Sequence, residues 1–506
     1  QLGKIASQVQ GVETVRIPLQ EKFDRFAQAI GILILGASVL LFAIGIWMGE
    51  SIKNMFLVMV AAAVAAIPEG LPVVVTITLA IGMSRMASKH AIIRNLPSVE
   101  TLGSTTFIGS DKTGTLTKNE MTVKAIFDGT TVYQVEGSGY DPDGEIRPEG
   151  PGDDPERLKL LLRIGLLCNE SLLISEDGFT KVQGDPTEGA LIVCGIKGGL
   201  DPEDERIKFP QQDIIPFESE RGYMATLHRA GDKGLVFVKG APEQVFSRCS
   251  REGMEEARRK AEKFAADGLR VLAMAFREVP AEKKLNNEML EGLKFAGLQA
   301  MMDPPRPEVI EAISNCREAG IKVAMITGDH AATAVTIGRQ LGIVRGDSAR
   351  VLTGRDLEKM SDDELFKIVK EISIYARVAP EHKLRIVNQL KRHGDIVAVT
   401  GDGVNDAPAL KAAHMGVAMG RTGTDVAKEA SDMVVTDDNF ASIFSAVVEG
   451  RIVFDNIRKV TFFLIPTGVA AILSIIGTLA LGLPIPFVPA QLLWINLVTN
   501  GLQDVA

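Results

Sequence analysis

Ser110-Asp111-Lys112-Thr113-Gly114-Thr115-Leu116-Thr117 directly follows the apolar run Thr106-Phe107-Ile108-Gly109. That run reads as a buried strand of a parallel sheet. Open α/β sheets place reactive groups at the carboxyl ends of such strands, and Asp111 stands at one. A carboxylate there can attack phosphorus and carry an acyl phosphate. Lys112, Gly114 and the three threonines offer charge, close backbone approach and hydroxyl donors around a phosphate. A lone Asp in this position more often belongs to an ordinary polar loop. Further motifs downstream weigh against that reading here.

Ile321-Lys322-Val323-Ala324-Met325-Ile326 is a strand by pattern and ends at Thr327-Gly328-Asp329. Asp395-Ile396-Val397-Ala398-Val399-Thr400 is another and ends at Gly401-Asp402. Helical stretches fill the gaps, so alternating strands and helices predict a doubly wound parallel sheet. Three strand ends then converge, carrying Asp111, Thr327 and Asp402. Between the first and second strands, Val123 to about Phe295 has turns such as Tyr140-Asp141-Pro142-Asp143-Gly144 and reads as an inserted α+β domain. It holds no Walker A sequence, so an ATP site there is not a P-loop. The glycines of Thr400 to Asp406 do not complete GxGxxG, which argues against a dinucleotide site.

A chain of 506 residues has room for more than one domain. A net charge of -9 gives no reason to expect nucleic acid as a partner. Cys168, Cys194, Cys249 and Cys316 are scattered with no CxxC, which predicts reduced thiols rather than a disulfide frame or zinc site. Residues 27 to 48 form an uncharged apolar run long enough for a bilayer of about 30 Å. Met55 to about Ser84 returns across it. Lys4, Lys22 and Arg25 precede this pair, and Arg85, Lys89 and Arg94 follow it, whereas the connecting turn has only Lys53. The positive-inside rule places both ends in the cytosol. The returning helix is broken at Pro68-Glu69-Gly70-Leu71-Pro72. Carbonyls freed by the prolines and the carboxylate of Glu69 are hard oxygen donors at membrane depth, suited to a cation such as Ca2+.

Taken together, Pro68 to Pro72, Asp111-Lys112-Thr113-Gly114-Thr115, Lys239-Gly240-Ala241-Pro242-Glu243, Thr327-Gly328-Asp329 and Thr400-Gly401-Asp402-Gly403-Val404-Asn405-Asp406 resemble the P-type ATPases. Within that family the chain is most similar to the type II cation pumps that include the Ca2+ pumps. The resemblance implies a haloacid-dehalogenase-like α/β phosphorylation domain, an inserted α+β nucleotide-binding domain and transmembrane α-helices. It divides the chain into a cytosolic linker (1–26), a transmembrane helix pair (27–90), a first phosphorylation-domain segment (91–122), the nucleotide-binding domain (123–295), a second phosphorylation-domain segment (296–450) and a second, truncated helix pair (451–506). It also implies an integral, multi-pass membrane protein with cytosolic catalytic domains, whose partners are ATP, a transported cation and the lipid bilayer.

The same resemblance assigns roles. Asp111 is the nucleophile. Asp111, Asp402 and the carbonyl of Thr113 hold Mg2+, Thr327 and Lys383 bind the phosphoryl oxygens, and Asn405 and Asp406 orient the others. Asp185, Glu188, Phe217, Arg221, Lys239 and Arg270 bind ATP, joined by Thr113, Gly328, Asp329 and Arg377. Gly222 departs from the Lys that often follows the position of Arg221. The carbonyls of Val64, Ala65 and Ile67, with Glu69, Asn496 and Asn500, bind the transported cation. Asn500 replaces an Asp, and Gly468 and Ala471 replace an Asn and a Glu, so at most one ion per cycle is expected, with Asp504 as a further carboxylate nearby.

Phosphatases of this fold carry a second Asp two residues after the nucleophile; here that position is Thr113. Without that general base an aspartyl phosphate hydrolyses more slowly by about 10²–10⁴-fold. ATP-driven export of Ca2+ is the leading expectation, with Na+ or another cation as the alternative. A membrane-anchored phosphatase and a regulatory scaffold are the rivals. No Thr-Gly-Glu motif of the family's actuator domain occurs, and neither terminus resembles a natural end, so a piece of a longer pump is expected.

Overall fold

The computed structural model describes residues 18–66 and 71–498, apart from 151, 153, 177–178, 251–253, 281–283 and 347–348. At its centre is an eight-stranded sheet ordered Ala91–Ile93, Met433–Val435, Met415–Met419, Val397–Gly401, Phe107–Asp111, Lys322–Ile326, Ile374–Ala376 and Val351–Thr353. All neighbours run parallel except the first pair. After Phe107–Asp111 the chain adds strands on one side, then returns to add Val397–Gly401 and its successors on the other. The strand order therefore reverses at Asp111, and a crevice opens there.

Alternation along the strands fills two cores. Phe107, Ala324, Ile326, Val397 and Val399 pack with Ile386, Val387 and Leu390 of helix Pro380–Arg392. Ile108, Val323, Met325 and Ala398 pack on the other face with Val309, Ala312, Ile313 and Cys316 of helix Pro307–Glu318. Both faces are covered, which is why these strands read as unbroken apolar runs.

The inserted domain is built on an eight-stranded antiparallel sheet, ordered Ile146–Pro148, Val132–Val135, Thr122–Phe127, Lys294–Met302, Arg270–Pro280, Lys233–Gly240, Tyr223–Ala230 and Gln211–Ile215. The chain leaves and returns on adjacent strands, Thr122 opposite Met302. Lys294–Met302 thus runs across the boundary expected at 295. Below it, Thr117 Oγ1 donates to Asp303 Oδ2 at 2.5 Å, and Arg306 donates to the carbonyls of Thr117 and Gly114. These bonds tie the two connecting strands to the phosphorylation loop.

Helices Pro18–Trp47, Ile52–Ala66 and Leu71–Ser88 precede the first sheet, and Phe440–Ala480 and Pro489–Leu497 follow the last strand. Phe440–Ala480 is one helix of 41 residues with Pro466 inside it, continuous from the core beside the parallel sheet into the apolar segment. Its Gly450 meets Gly103 backbone to backbone: a Cβ on Gly103 would stand 2.5 Å from the Gly450 carbonyl carbon. Among the described residues one stretch, Ala29–Trp47, is by itself long and apolar enough to cross a bilayer; Ile52–Ala65, Val73–Ser88 and Val469–Ala480 are shorter. The four cysteines are free thiols, three of them buried.

Candidate active site and nucleotide pocket

Asp111 is the last residue of the central strand, and its side chain is 26% exposed in the crevice. Its amide donates to Thr400 Oγ1 at 2.8 Å, locking it to the neighbouring strand. The chain then turns through Lys112–Leu116, where Gly114 has φ +74, a conformation that favours glycine.

Lys383 reaches Asp111 from the first turn of Pro380–Arg392, the helix whose positions 386, 387 and 390 are buried in the core. Its Nζ lies 3.1 Å from Asp111 Oδ2 and 2.8 Å from Asp406 Oδ1, and the residue is 4% exposed. Burial opposes its charge, but Asp111 and Asp406 outweigh burial and raise its pKa. Burial likewise works against the Asp406 carboxylate. Lys383 and the amides of Gly403 and Asp402 nevertheless hold its pKa below the usual range. Gly401 is required beside it, since a Cβ there would meet Asp406 Cβ at 2.5 Å. Asp402 shows the reverse balance: burial, then Asp111 and Asp406, push its pKa up, and Lys383 offsets them only in part.

The site therefore carries more negative charge than its lysine neutralises. Among the described residues no cage of three or more protein ligands is present. Mg2+ needs none, because it binds through one or two carboxylates with substrate phosphates and water. Asp111 and Asp402, with the Thr113 carbonyl on the adjoining turn, fit that ion.

Thr327 follows strand Lys322–Ile326, is 3% exposed, and accepts from the Asp329 amide at 3.1 Å. Asp329 is itself held by Lys112 Nζ at 2.6 Å. Arg377, at φ +51 beyond strand Ile374–Ala376, donates its amide to the Asp329 carbonyl. Gly328 lies between Thr327 and Asp329 with open space where a Cβ would be. Asn405 is exposed in the turn Val404–Asp406.

A pocket of about 160 Å³ in the inserted domain is lined by Asp185, Glu188, Phe217, Lys239 and Arg270, five of the six residues assigned to ATP there. Asp185 caps helix Pro186–Lys197, accepting from the amides of Thr187 and Glu188. Lys239 is buried and pairs with Glu188 at 2.5 Å. Arg270 reaches Thr187 Oγ1 at 3.2 Å. Phe217 is 52% exposed, an aromatic face offered to solvent at the pocket. Arg221, the sixth, does not line the pocket; it pairs with Glu218 and sits over the Tyr223 ring. The departure at Gly222 has a local cause, because its φ of +72 favours glycine.

Comparison with known proteins fits this geometry. Residues 157–308 match the family described as P-type ATPase, cytoplasmic domain N, and residues 236–411 and 383–447 match haloacid dehalogenase-like hydrolase families. The whole chain is 43% identical over 522 residues to a calcium-transporting ATPase of Bacillus subtilis. It is 44% identical over 525 residues to a cation-transporting ATPase of Synechocystis and over 533 residues to a calcium-transporting ATPase of Listeria monocytogenes, again along its full length. The chain belongs to the P-type ATPases. It spans 58% of the length of each of these relatives.

Within this P-type ATPase, sequence reasoning missed Glu170, Thr187, Gly240 and Leu272 of the pocket and Thr400 at Asp111. Gly240 and Thr400 lie inside motifs already singled out and Thr187 stands between the assigned Asp185 and Glu188, so adjacency was the usable signal. Glu170 and Leu272 carried none. Ala65 is buried in the packed helices with Ile472, Ile475 and Leu492, and Val64 is half-buried beside it. Ile67, Glu69 and Asn500 lie outside the described residues, as does the side chain of Asn496.

Proposed function

We propose that this chain is the catalytic core of an ATP-driven cation pump in which Asp111 is phosphorylated. The observation that carries the reading is Lys383 held between Asp111 and Asp406 at a strand-end crevice, with Thr rather than Asp at position 113. An Asp111 carboxylate oxygen attacks the γ-phosphorus of ATP; the bond to the β,γ-bridging oxygen breaks and ADP leaves. Lys383 and Thr327 offset the charge on the transferring oxygens. Asp111, Asp402 and the Thr113 carbonyl would hold Mg2+, which would supply further neutralisation. Asp406 fixes the Lys383 ammonium and the Asp402 backbone. In the inserted domain Phe217 receives the adenine face, Lys239 lies beside the nucleotide and Arg270 reaches its phosphates.

Ca2+ is the favoured cargo. The relatives named as calcium transporters support it, and so does the sequence Pro68-Glu69-Gly70-Leu71-Pro72, with its carboxylate and two prolines. Neutral Asn500, Gly468 and Ala471 favour a stoichiometry of one ion. Exposed Ile32, Leu35, Phe56, Ile81, Phe462 and Leu473 on the flanking helices suit contact with lipid, with the catalytic domains on the cytosolic side. The test is ATP-dependent uptake by the full-length protein in sealed proteoliposomes. Ca2+ accumulation that stops when the phosphoenzyme is blocked is expected. Phosphate release with a short-lived phosphoenzyme and no ion flux would favour the phosphatase instead.

A further inference from the structure

A second cavity, of about 320 Å³, lies at the opposite end of the parallel sheet and is lined by Ile313, Arg317, Gly320, Lys322, Ile343 and Ser373 among others. Lys322 opens its strand in register with Phe107, whereas Ile326 at the far end is in register with Asp111. Four residues at ~3.3 Å each separate the two ends by roughly 13 Å, so this cavity is not part of the phosphorylation crevice.

Its walls are cationic and poorly neutralised. Arg317 donates to the Gly342 carbonyl and Lys322 to the Lys370 carbonyl. Among the described residues neither has a carboxylate within ion-pair distance. Arg345, Arg350 and Lys370 stand around them. Among the described residues two carboxylates pair with this group: Glu371 with Arg350, and Asp395 with Lys370 at 3.0 Å. Burial and then Arg345 lower the pKa of Arg317. Burial and then Arg350 lower that of Lys322, Lys370 adding to this and Asp395 opposing it. Positive charge lining a cavity without a counter-charge is costly, and a bound anion removes that cost. A planar guanidinium fork, an ammonium point charge and the Ser373 hydroxyl are together suited to phosphate oxygens.

We propose that this cavity is an anion site that takes a phosphate-bearing ligand, separate from both sites that handle ATP. The ligand is a soluble phosphate or a phospholipid headgroup, since both present the same oxygens. The wall is joined to the long helix Phe440–Ala480, whose Arg451 donates to the Ala319 carbonyl next to Gly320. Occupancy thus bears on the element that runs from the core into the apolar segment.

The test uses full-length protein carrying Asp111→Asn and saturated with a non-hydrolysable ATP analogue, which fills the nucleotide pocket. Inorganic phosphate and short-chain phosphatidic acid are titrated separately by calorimetry. Saturable binding is expected for at least one probe. Arg317→Gln with Lys322→Gln should weaken it by about tenfold or more, the scale of losing charged hydrogen bonds. Arg345→Gln, at an exposed position, should weaken it by about threefold with no change in melting, and decides the matter if the double variant does not fold. Binding of phosphate identifies a soluble ligand, and binding of phosphatidic acid alone identifies a lipid. No saturable binding of either, or binding that ignores these substitutions, overturns the proposal.

Discussion

At Asp111 one buried cation, Lys383, faces the carboxylates of Asp111, Asp402 and Asp406; in the pocket of the inserted domain Lys239 faces Glu188 at 2.5 Å. The first site keeps negative charge in excess, which suits a divalent metal and a transferring phosphoryl group. The second is neutral as a pair, and its neighbours Phe217 and Leu272 add apolar surface for a base. The two sites also differ in construction. The first is assembled from strand ends of one parallel sheet, each followed by a short turn, and from the first turn of helix Pro380–Arg392. The second gathers residues from five separated segments of an antiparallel domain. Chemistry is fixed by rigid strand ends, and binding is spread over a surface.

Four substitutions probe this contrast. Lys383→Met removes the cation shared by Asp111 and Asp406, and phosphoenzyme formation should fall about 10³-fold. A smaller loss, measured with labelled ATP in the folded variant, would mean that the charge excess is tolerated. Lys239→Met leaves the largely enclosed Glu188 without its cation, held by the Glu170 amide and the Ser171 hydroxyl at its other oxygen. The inserted domain should lose about 3 kcal/mol of stability in denaturant melts, with partial recovery on adding Glu188→Gln. No recovery would show that Lys239 acts by packing alone. Thr113→Asp places a general base beside the acyl phosphate, and phosphoenzyme decay in a chase experiment should accelerate by about 10²-fold. Phe217→Ala removes an aromatic side chain that is half exposed at the pocket. ATP should bind about 3- to 10-fold more weakly by calorimetry, with the stability of the domain unchanged.

Sequence legibility followed the same division. The doubly wound sheet was readable because its strands are continuous apolar runs, and the ends at Asp111, Thr327 and Asp402 carry short motifs. Asp406 and Lys383 were readable only through family resemblance, yet the helix carrying Lys383 is fixed by its own buried 386, 387 and 390 positions. The pocket was harder. Leu272 comes from ordinary strand alternation, and Glu170 sits in a connection whose path local pattern does not give. Arg221 was assigned to ATP by the resemblance; the structure places its side chain at Glu218 and Tyr223, in the turn ending at Gly222. The span Lys294–Met302 crosses the expected boundary because an inserted domain leaves and returns on paired strands, and pairing across so long an insertion has no local signature.

The most direct test is phosphorylation of the full-length protein by labelled ATP and Mg2+, across a panel of cations, beside Asp111→Asn. An acid-stable, hydroxylamine-labile label that requires Ca2+ and is absent from the variant is the expected result. A label that persists in Asp111→Asn, or no label with any cation in folded protein, would contradict phosphorylation at Asp111.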